Sequence, residues 1–258
     1  MFKGNKIVVV MPAYNAEKTL RKTHSEVLNE EIVDLVLVVD DKSTDRTVEI
    51  AKSLPKTKVH CHPLNKGYGY NQKNCYKLAL GDKADIIIMV HPDYQYTPKL
   101  IPAMVALISS GLYNCVIGSR ILGGYALQGN MPKWKYIGNR FLTLLENLIT
   151  GAKLSEYHSG YRAYSSSLLK RIPFEQNSDD FIFDNQIIMQ IVYLGERIAE
   201  ITCPANYSSE SSSIGLTRSV KYGIGCLSTA IKYKLHKLGL IQSRLFRLGD
   251  ASIRERDW

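Results

Sequence analysis

The chain predicts a mostly parallel, doubly wound α/β sheet with helices on both faces, followed by a basic amphipathic tail. Two observations predict the sheet. Short runs rich in Val and Ile, read as buried strands, recur through the first half. Helix-length segments separate them, and strict alternation of strand and helix favours parallel pairing.

The elements follow in order. Lys6–Met11 reads as a buried strand and Glu17–Asn29 as a helix. Asp34–Val39 is a second strand; Thr44–Leu54 is a second helix, with Ser43 or Thr44 available as its N-cap. Lys58–Cys61 is a short strand before a Gly-bearing turn and a helix over Asn71–Leu80. Asp85–Val90 is the next strand. Pro98 suits the first turn of a helix running to Ser109, and Tyr113–Gly118 is a fifth strand. After Arg120 the alternation breaks. A loop over 123–133 precedes a helix over Trp134–Ile149, a short strand at Tyr161–Tyr164, a helix over Asp180–Leu194 and a last strand at Arg197–Pro204.

Composition narrows the function. The 258 residues suffice for one well-packed domain with a helical appendage, read as a domain over 1–207 and a tail over 208–258. No apolar run reaches the length of a bilayer span, and the first residues lack a small-residue cleavage site, so neither a membrane helix nor a secretory signal is expected. Five scattered cysteines without CxxC spacing fit free thiols in a reducing, cytoplasmic setting. The net charge of +9 points to an anionic partner: nucleic acid, anionic lipid or a phosphorylated substrate.

The charge is concentrated in the tail, where nine basic residues oppose three acidic ones from Ile214 onward. Ser208–Ser213 reads as a flexible lead into it. Val220, Ile224, Leu227, Ile231, Leu235 and Leu238 then recur at three- and four-residue steps, one stripe of a helix. Such a helix packs on its own core or on a second subunit as a homodimer contact, or lies in a membrane surface with its lysines toward the headgroups.

Two acidic turns carry the chemistry. Asp40-Asp41-Lys42-Ser43-Thr44-Asp45 closes one strand, and His91-Pro92-Asp93-Tyr94-Gln95 closes another. Ligands of open α/β sheets bind beyond the carboxyl ends of the strands. A carboxylate such as Asp93 there can hold a divalent cation against a diphosphate, or it can merely cap a helix or shape a Pro turn. Asp40 and Asp41 divide in the same way between a base or ribose contact and a helix cap. Tyr14, in Pro12-Ala13-Tyr14-Asn15, could stack on a base.

Those turns occur in order with Asn65-Lys66-Gly67-Tyr68-Gly69, Gly118-Ser119-Arg120 and Ser159-Gly160-Tyr161-Arg162-Ala163-Tyr164. From about Ile7 to Tyr207 the chain resembles the family 2 glycosyltransferases of the GT-A fold, and within them the dolichol-phosphate mannose synthases and related polyprenyl-phosphate sugar transferases. The resemblance implies an inverting hexosyltransferase that uses a nucleotide diphosphate sugar and a divalent metal, Mn²⁺ or Mg²⁺. The acceptor would be a polyprenyl phosphate at the cytoplasmic face of a membrane, with the enzyme held peripherally at its anionic surface. It implies that Pro12, Tyr14, Glu17, Asp40 and Asp41 line the nucleotide pocket and that Asp93 binds metal. Gln95 would shape the sugar and diphosphate site, and Arg120 would sit by the donor and acceptor phosphates. Lys135, Asn139, Ser159 and Arg162 would border the acceptor.

The chain departs from that pattern at three points. His91 stands where the first Asp of Asp-x-Asp is usual, as metal ligand, supporting donor or spacer. Lys42 replaces a usual Gly. Ala16 takes the place of an acidic residue, which is displaced to Glu17.

Asp179, Asp180 and Asp184 form a further acidic group. A sugar-hydroxyl acceptor needs a general base, which Asp180 could supply, whereas a phosphate acceptor needs none. A glycan-extending transferase is therefore one alternative and a catalytically inactive nucleotide-sugar-binding protein another. The aspartates could equally cap the following helix. His60 and His62 share one strand face without further ligands for zinc. Residues 65–69 lack the ending of a P-loop. The basic residues match no nucleic-acid motif, so no nucleic-acid partner is expected.

Overall fold

A computed structural model of the chain describes residues 1–207 and 215–247. The serine run at 208–213 and the end of the tail, 248–258, lie outside the described residues.

Seven strands form one sheet: β1 (Ile7–Ala13), β2 (Leu35–Asp40), β3 (Thr57–Cys61), β4 (Ile86–Met89), β5 (Cys115–Ser119), β6 (Arg162–Ser165) and β7 (Ile198–Thr202). Their order is β3-β2-β1-β4-β6-β5-β7. All seven strands match the expected runs to within a few residues, and the sheet is parallel except at β6, which runs antiparallel to β4 and β5. Nothing in the residues of β6 announces that reversal.

Side-chain alternation divides the core. In β1, Val8 and Val10 face one layer while Ile7, Val9 and Met11 face the other. All are fully buried, as strands covered on both faces require. One layer holds α1 (Leu20–Asn29), α2 (Thr47–Lys52) and α4 (Ile101–Ser109). The opposite layer holds α3 (Tyr68–Gly81), the unanticipated α6 (Ser166–Arg171) and α7 (Phe183–Leu194).

Two long helices complete the molecule, α5 (Lys133–Thr150) and α8 (Leu216–Lys237), packed against each other, with α8 also on α7. The tail joins the core beneath. Cys226, Ala230 and Tyr233 of α8, and Leu245 and Phe246 beyond it, are buried, the last four meeting the α7 layer. The expected apolar stripe of α8 points the other way: Val220, Ile224, Ile231 and Leu238 are all exposed. The stripe therefore does not pack on the chain's own core.

Candidate active site

β1 lies between β2 and β4, so the chain reverses direction across the sheet there, a position where α/β sheets open a crevice for ligands. Ala13 pairs with Asp40, and Val10 with Met89. The turns after β1, β2 and β4 therefore emerge together.

The first two turns are laced to each other. The Asn15 amide N–H donates to Ser43 Oγ at 2.8 Å, and Asn15 Oδ1 accepts from Thr44 N at 2.9 Å. Glu17 accepts from Arg46 N at 3.0 Å, while its own N–H donates to Asp45 at 3.1 Å. Tyr14 is left 54% exposed with its ring open to a ligand, above buried Pro12. Lys42 adopts φ +66°, the left-handed conformation that a glycine takes without strain, which accounts for the usual residue there.

Asp40 and Asp41 have different partners. Asp40 accepts from the Ser43 N–H at 3.0 Å and from its hydroxyl, closing its own turn. Asp41, 4% exposed, accepts from His62 Nδ1 at 2.9 Å, Lys66 N at 3.0 Å and Gly67 N at 2.9 Å. It thereby folds the 62–67 turn over the end of β3. Among the described residues, its Oδ2 keeps capacity for another donor.

The β4 turn is strained and anchored. Tyr94 holds φ +57°; its hydroxyl donates to Glu26, and the Lys22 ammonium sits 3.7 Å from its ring centre. This fixes Asp93, whose Oδ1 accepts from Gln95 N at 3.1 Å. Both Asp93 and Gln95 are 8% exposed.

His91 is oriented from across the sheet. Its Nε2 lies 3.1 Å from the Tyr68 hydroxyl, which donates to Asp184 Oδ2 at 2.6 Å. Burial, then the charge of Asp184, raises the Tyr68 phenol well above its ordinary pKa, so it remains a donor. Having donated to Asp184, the hydroxyl accepts from His91, which puts the imidazole proton on Nε2 and the lone pair on Nδ1. Gly160 permits this: a Cβ there would lie 2.7 Å from His91 Nε2.

A second cluster surrounds Arg120, at the end of β5. Its Nε donates to Glu156 Oε1 at 2.8 Å, Nη1 to the Tyr207 hydroxyl at 2.7 Å, and Nη2 to Glu156 and to the His158 carbonyl. Four of its five N–H groups are thus engaged. Burial opposes the charge of Glu156, but Arg120 and donors including Asn139 Nδ2, at 2.7 Å, outweigh it and hold the carboxyl below its usual range. Lys135 is half-buried; desolvation and then the charge of Arg120 lower its pKa.

Ser159 and Arg162 are bound into the framework. Ser159 Oγ donates to the Gly118 carbonyl at 2.6 Å. Arg162 is fully buried and donates to the carbonyls of Ser159, Tyr157 and Asp184. Neither presents a donor to solvent, which disfavours the expected direct contact with an acceptor. Asp180 is half exposed; its carboxylate accepts from Phe181 N at 2.8 Å and pairs with Lys221 at 3.5 Å.

The profile described as "Glycosyl transferase family 2" matches residues 8–173, which span all three carboxylate turns and both residues of the Arg120–Glu156 pair. The chain belongs to that family. The transferase is 32% identical over 180 residues to the UDP-N-acetylglucosamine–dolichyl-phosphate N-acetylglucosaminyltransferase of Methanococcus voltae, covering 64% of this chain and 71% of the relative. It is 27% identical to the dolichyl-phosphate hexose transferase of Haloferax volcanii, over 77% and 82% of the two chains. Among solved structures, glucosyl-3-phosphoglycerate synthase of Mycobacterium tuberculosis, in complex with Mn²⁺, UDP and phosphoglyceric acid, superposes with a TM-score of 0.68 at 19% identity, over 90% of this chain and 79% of the other. That likeness establishes the GT-A fold of the transferase.

The donor groups of the transferase fit a divalent cation held mainly by its ligand. Among the described residues no three His, Cys, Asp or Glu side chains converge. Asp93 and His91 share one turn, and a carboxylate with a neutral imidazole suits Mn²⁺ better than Mg²⁺. Sequence reasoning missed Glu156, Tyr68 and Tyr207. Glu156 sits in Leu-Ser-Glu-Tyr-His with no spacing to mark it, and only the fold carries it to Arg120.

Proposed function

We propose that the protein is an inverting, metal-dependent hexosyltransferase. It transfers a sugar from a nucleotide diphosphate to a polyprenyl phosphate at the cytoplasmic face of a membrane. The observation that carries the reading is that the turns after β1, β2 and β4 emerge side by side, the last two bearing Asp40, Asp41 and Asp93, with a cationic pair, Arg120 and Lys135, in the neighbouring cluster. The names of related proteins support the acceptor class. Five unpaired cysteines agree with a reducing compartment. Among the described residues, no helix is long and apolar enough to cross a membrane.

In this reading Tyr14 stacks on the base, while Asp40 and Asp41 shape the nucleotide pocket together with Pro12 and Glu17. Asp93 and His91 would hold the cation, which when bound neutralises charge on the diphosphate. Gln95 lies two residues on, at the sugar. The acceptor phosphate is already an anion, so its oxygen attacks the anomeric carbon in line without a general base. Lys135 and the remaining Nη1 donor of Arg120 bind that phosphate and hold it on the face opposite the departing diphosphate. Asn139 supports them through Glu156. The observed contacts of Asp180, a local cap and an ion pair to α8, favour the phosphate acceptor over a sugar hydroxyl.

Asp93→Asn tests the site. Activity should fall at least about a hundredfold, with an unchanged melting midpoint. Full activity would remove Asp93 from the mechanism. Asp180→Asn should retain most activity; its abolition would favour the sugar-hydroxyl alternative.

A further inference from the structure

Helix α5 is inside out. Its buried residues are Asn139, Thr143 and Glu146, all polar. Trp134, Ile137, Phe141, Leu144 and Leu148 are 42–70% exposed. At 100° per residue these five fall within an arc of about 80°, opposite the polar face. A helix on a water-facing surface shows the reverse.

The neighbouring helix repeats the arrangement. Val220, Ile224 and Ile231 of α8, with Leu238 at its C-cap, span about 40° of arc, opposite buried Cys226, Thr229 and Tyr233. The two helices pack flank to flank, where a Cβ at Gly223 would lie 3.4 Å from Leu142. Both turn their buried sides to the domain: Glu146 binds Asn185 of α7, and Tyr233 meets Tyr193 of α7. Their apolar arcs therefore share one outer surface. Of the large apolar side chains exposed among the described residues, all but Met1, Tyr14, Leu64 and Leu112 lie within 122–148 or 220–241. Exposure so concentrated marks a docking face.

The rim selects the occupant. Residues 133–153 carry Lys133, Lys135, Arg140 and Lys153, and their one acid, Glu146, is buried. Residues 215–241 carry five Lys or Arg and no acid. A two-fold dimer through this face would press one basic rim against another. An anionic lipid surface complements both parts, apolar stripe and cationic rim.

We propose that α5 and α8 form a composite membrane-docking platform, with α5 the principal inserting element. The proposal rests on the proposed function only for what docking achieves: Lys135 and Asn139 are on α5, so insertion holds the Arg120 cluster at the lipid surface. Both stripes recur at three- and four-residue steps in the sequence, but that the α5 stripe faces outward, and that it joins that of α8, only the fold shows.

The test is flotation of the full chain with phosphatidylcholine vesicles, with and without phosphatidylglycerol. The protein should float with the anionic vesicles, less strongly in high salt. Ile137→Glu/Phe141→Glu/Leu148→Glu should weaken that partitioning by roughly tenfold or more, and Leu112→Glu, outside the platform, should not. Thermal stabilisation by a nucleoside diphosphate, tried as UDP, GDP and CDP with Mn²⁺, reports folding and the nucleotide site separately. Its absence in the unaltered protein counts against the transferase reading, whatever the vesicles show. Docking is overturned if neither vesicle binds, if the triple variant floats as well as the parent, or if sedimentation shows a dimer that the same substitutions dissociate without any vesicle binding.

Discussion

His91 owes its orientation to residues far from it in the chain. Tyr68 reaches it from the start of α3 and is held by Asp184 on α7, which also accepts from Gln72 at 3.0 Å. Tyr68→Phe leaves a buried carboxylate and an imidazole each short of one partner, and should cost about 1–3 kcal/mol in urea unfolding. It should also reduce the Mn²⁺-dependent part of nucleoside diphosphate binding, measured by titration calorimetry with UDP and GDP in turn, because the imidazole is no longer confined to one tautomer. Unchanged metal dependence would make His91 a spacer. Lys135 gives a pH dependence. Its folded pKa lies below the ordinary 10.5, through desolvation and then the charge of Arg120, so its charge is lost at a lower pH than that of an ordinary lysine. Acceptor KM should therefore climb at a less alkaline pH than an ordinary lysine would give, and Lys135→Met should flatten the climb.

Between elements, two close approaches fix the site. The N-terminus of α3 lies on the 178–180 backbone. A Cβ at Gly69 would come within 2.3 Å of the Ser178 carbonyl oxygen and 2.8 Å of Asp179 C. Backbone on both sides leaves nothing to yield, so Gly69→Ala should destabilise by about 2 kcal/mol or more and displace Tyr68 with it. The Arg120–Glu156 pair ties the end of β5 to the segment after α5. Glu156 titrates below its usual 4.5 in the folded state, so its contribution is fully present above that value and is lost as pH falls through the folded pKa. Glu156→Gln leaves Arg120 buried without its counter-charge, at a cost of about 3–5 kcal/mol. An acid titration of stability should show the parent losing its advantage over the variant below about pH 4.5.

In the whole molecule, the tail bears on the domain's stability. Phe246 is 1% exposed, among Tyr193, Tyr233 and His236, and Leu245 accepts from Gln190 of α7 through its carbonyl at 2.9 Å. Phe246→Ala should cost about 3–5 kcal/mol. A chain cut after residue 207 should melt lower, since it loses those contacts along with Cys226 and Ala230. An equal melting midpoint would make the tail a separate appendage.

The residues by themselves determined most of the sheet. β1, β2 and β4 are runs of Val and Ile, buried on both sides and local in origin, and the turns that follow them carry the carboxylates in plain view. Tertiary structure alone decided what those carboxylates do. Asp40 and Asp41 are adjacent in the chain, yet one closes its own turn and the other clasps a loop some twenty-five residues on. It also decided the reversal of β6, the burial of Arg162, the reach of Glu156 to Arg120 and the outward face of α5. Periodicity records that a helix has an apolar side, whereas the direction of that side is set by which face finds polar partners inside. In α5 those partners are Asn185, Glu156 and His158, brought together only by the fold.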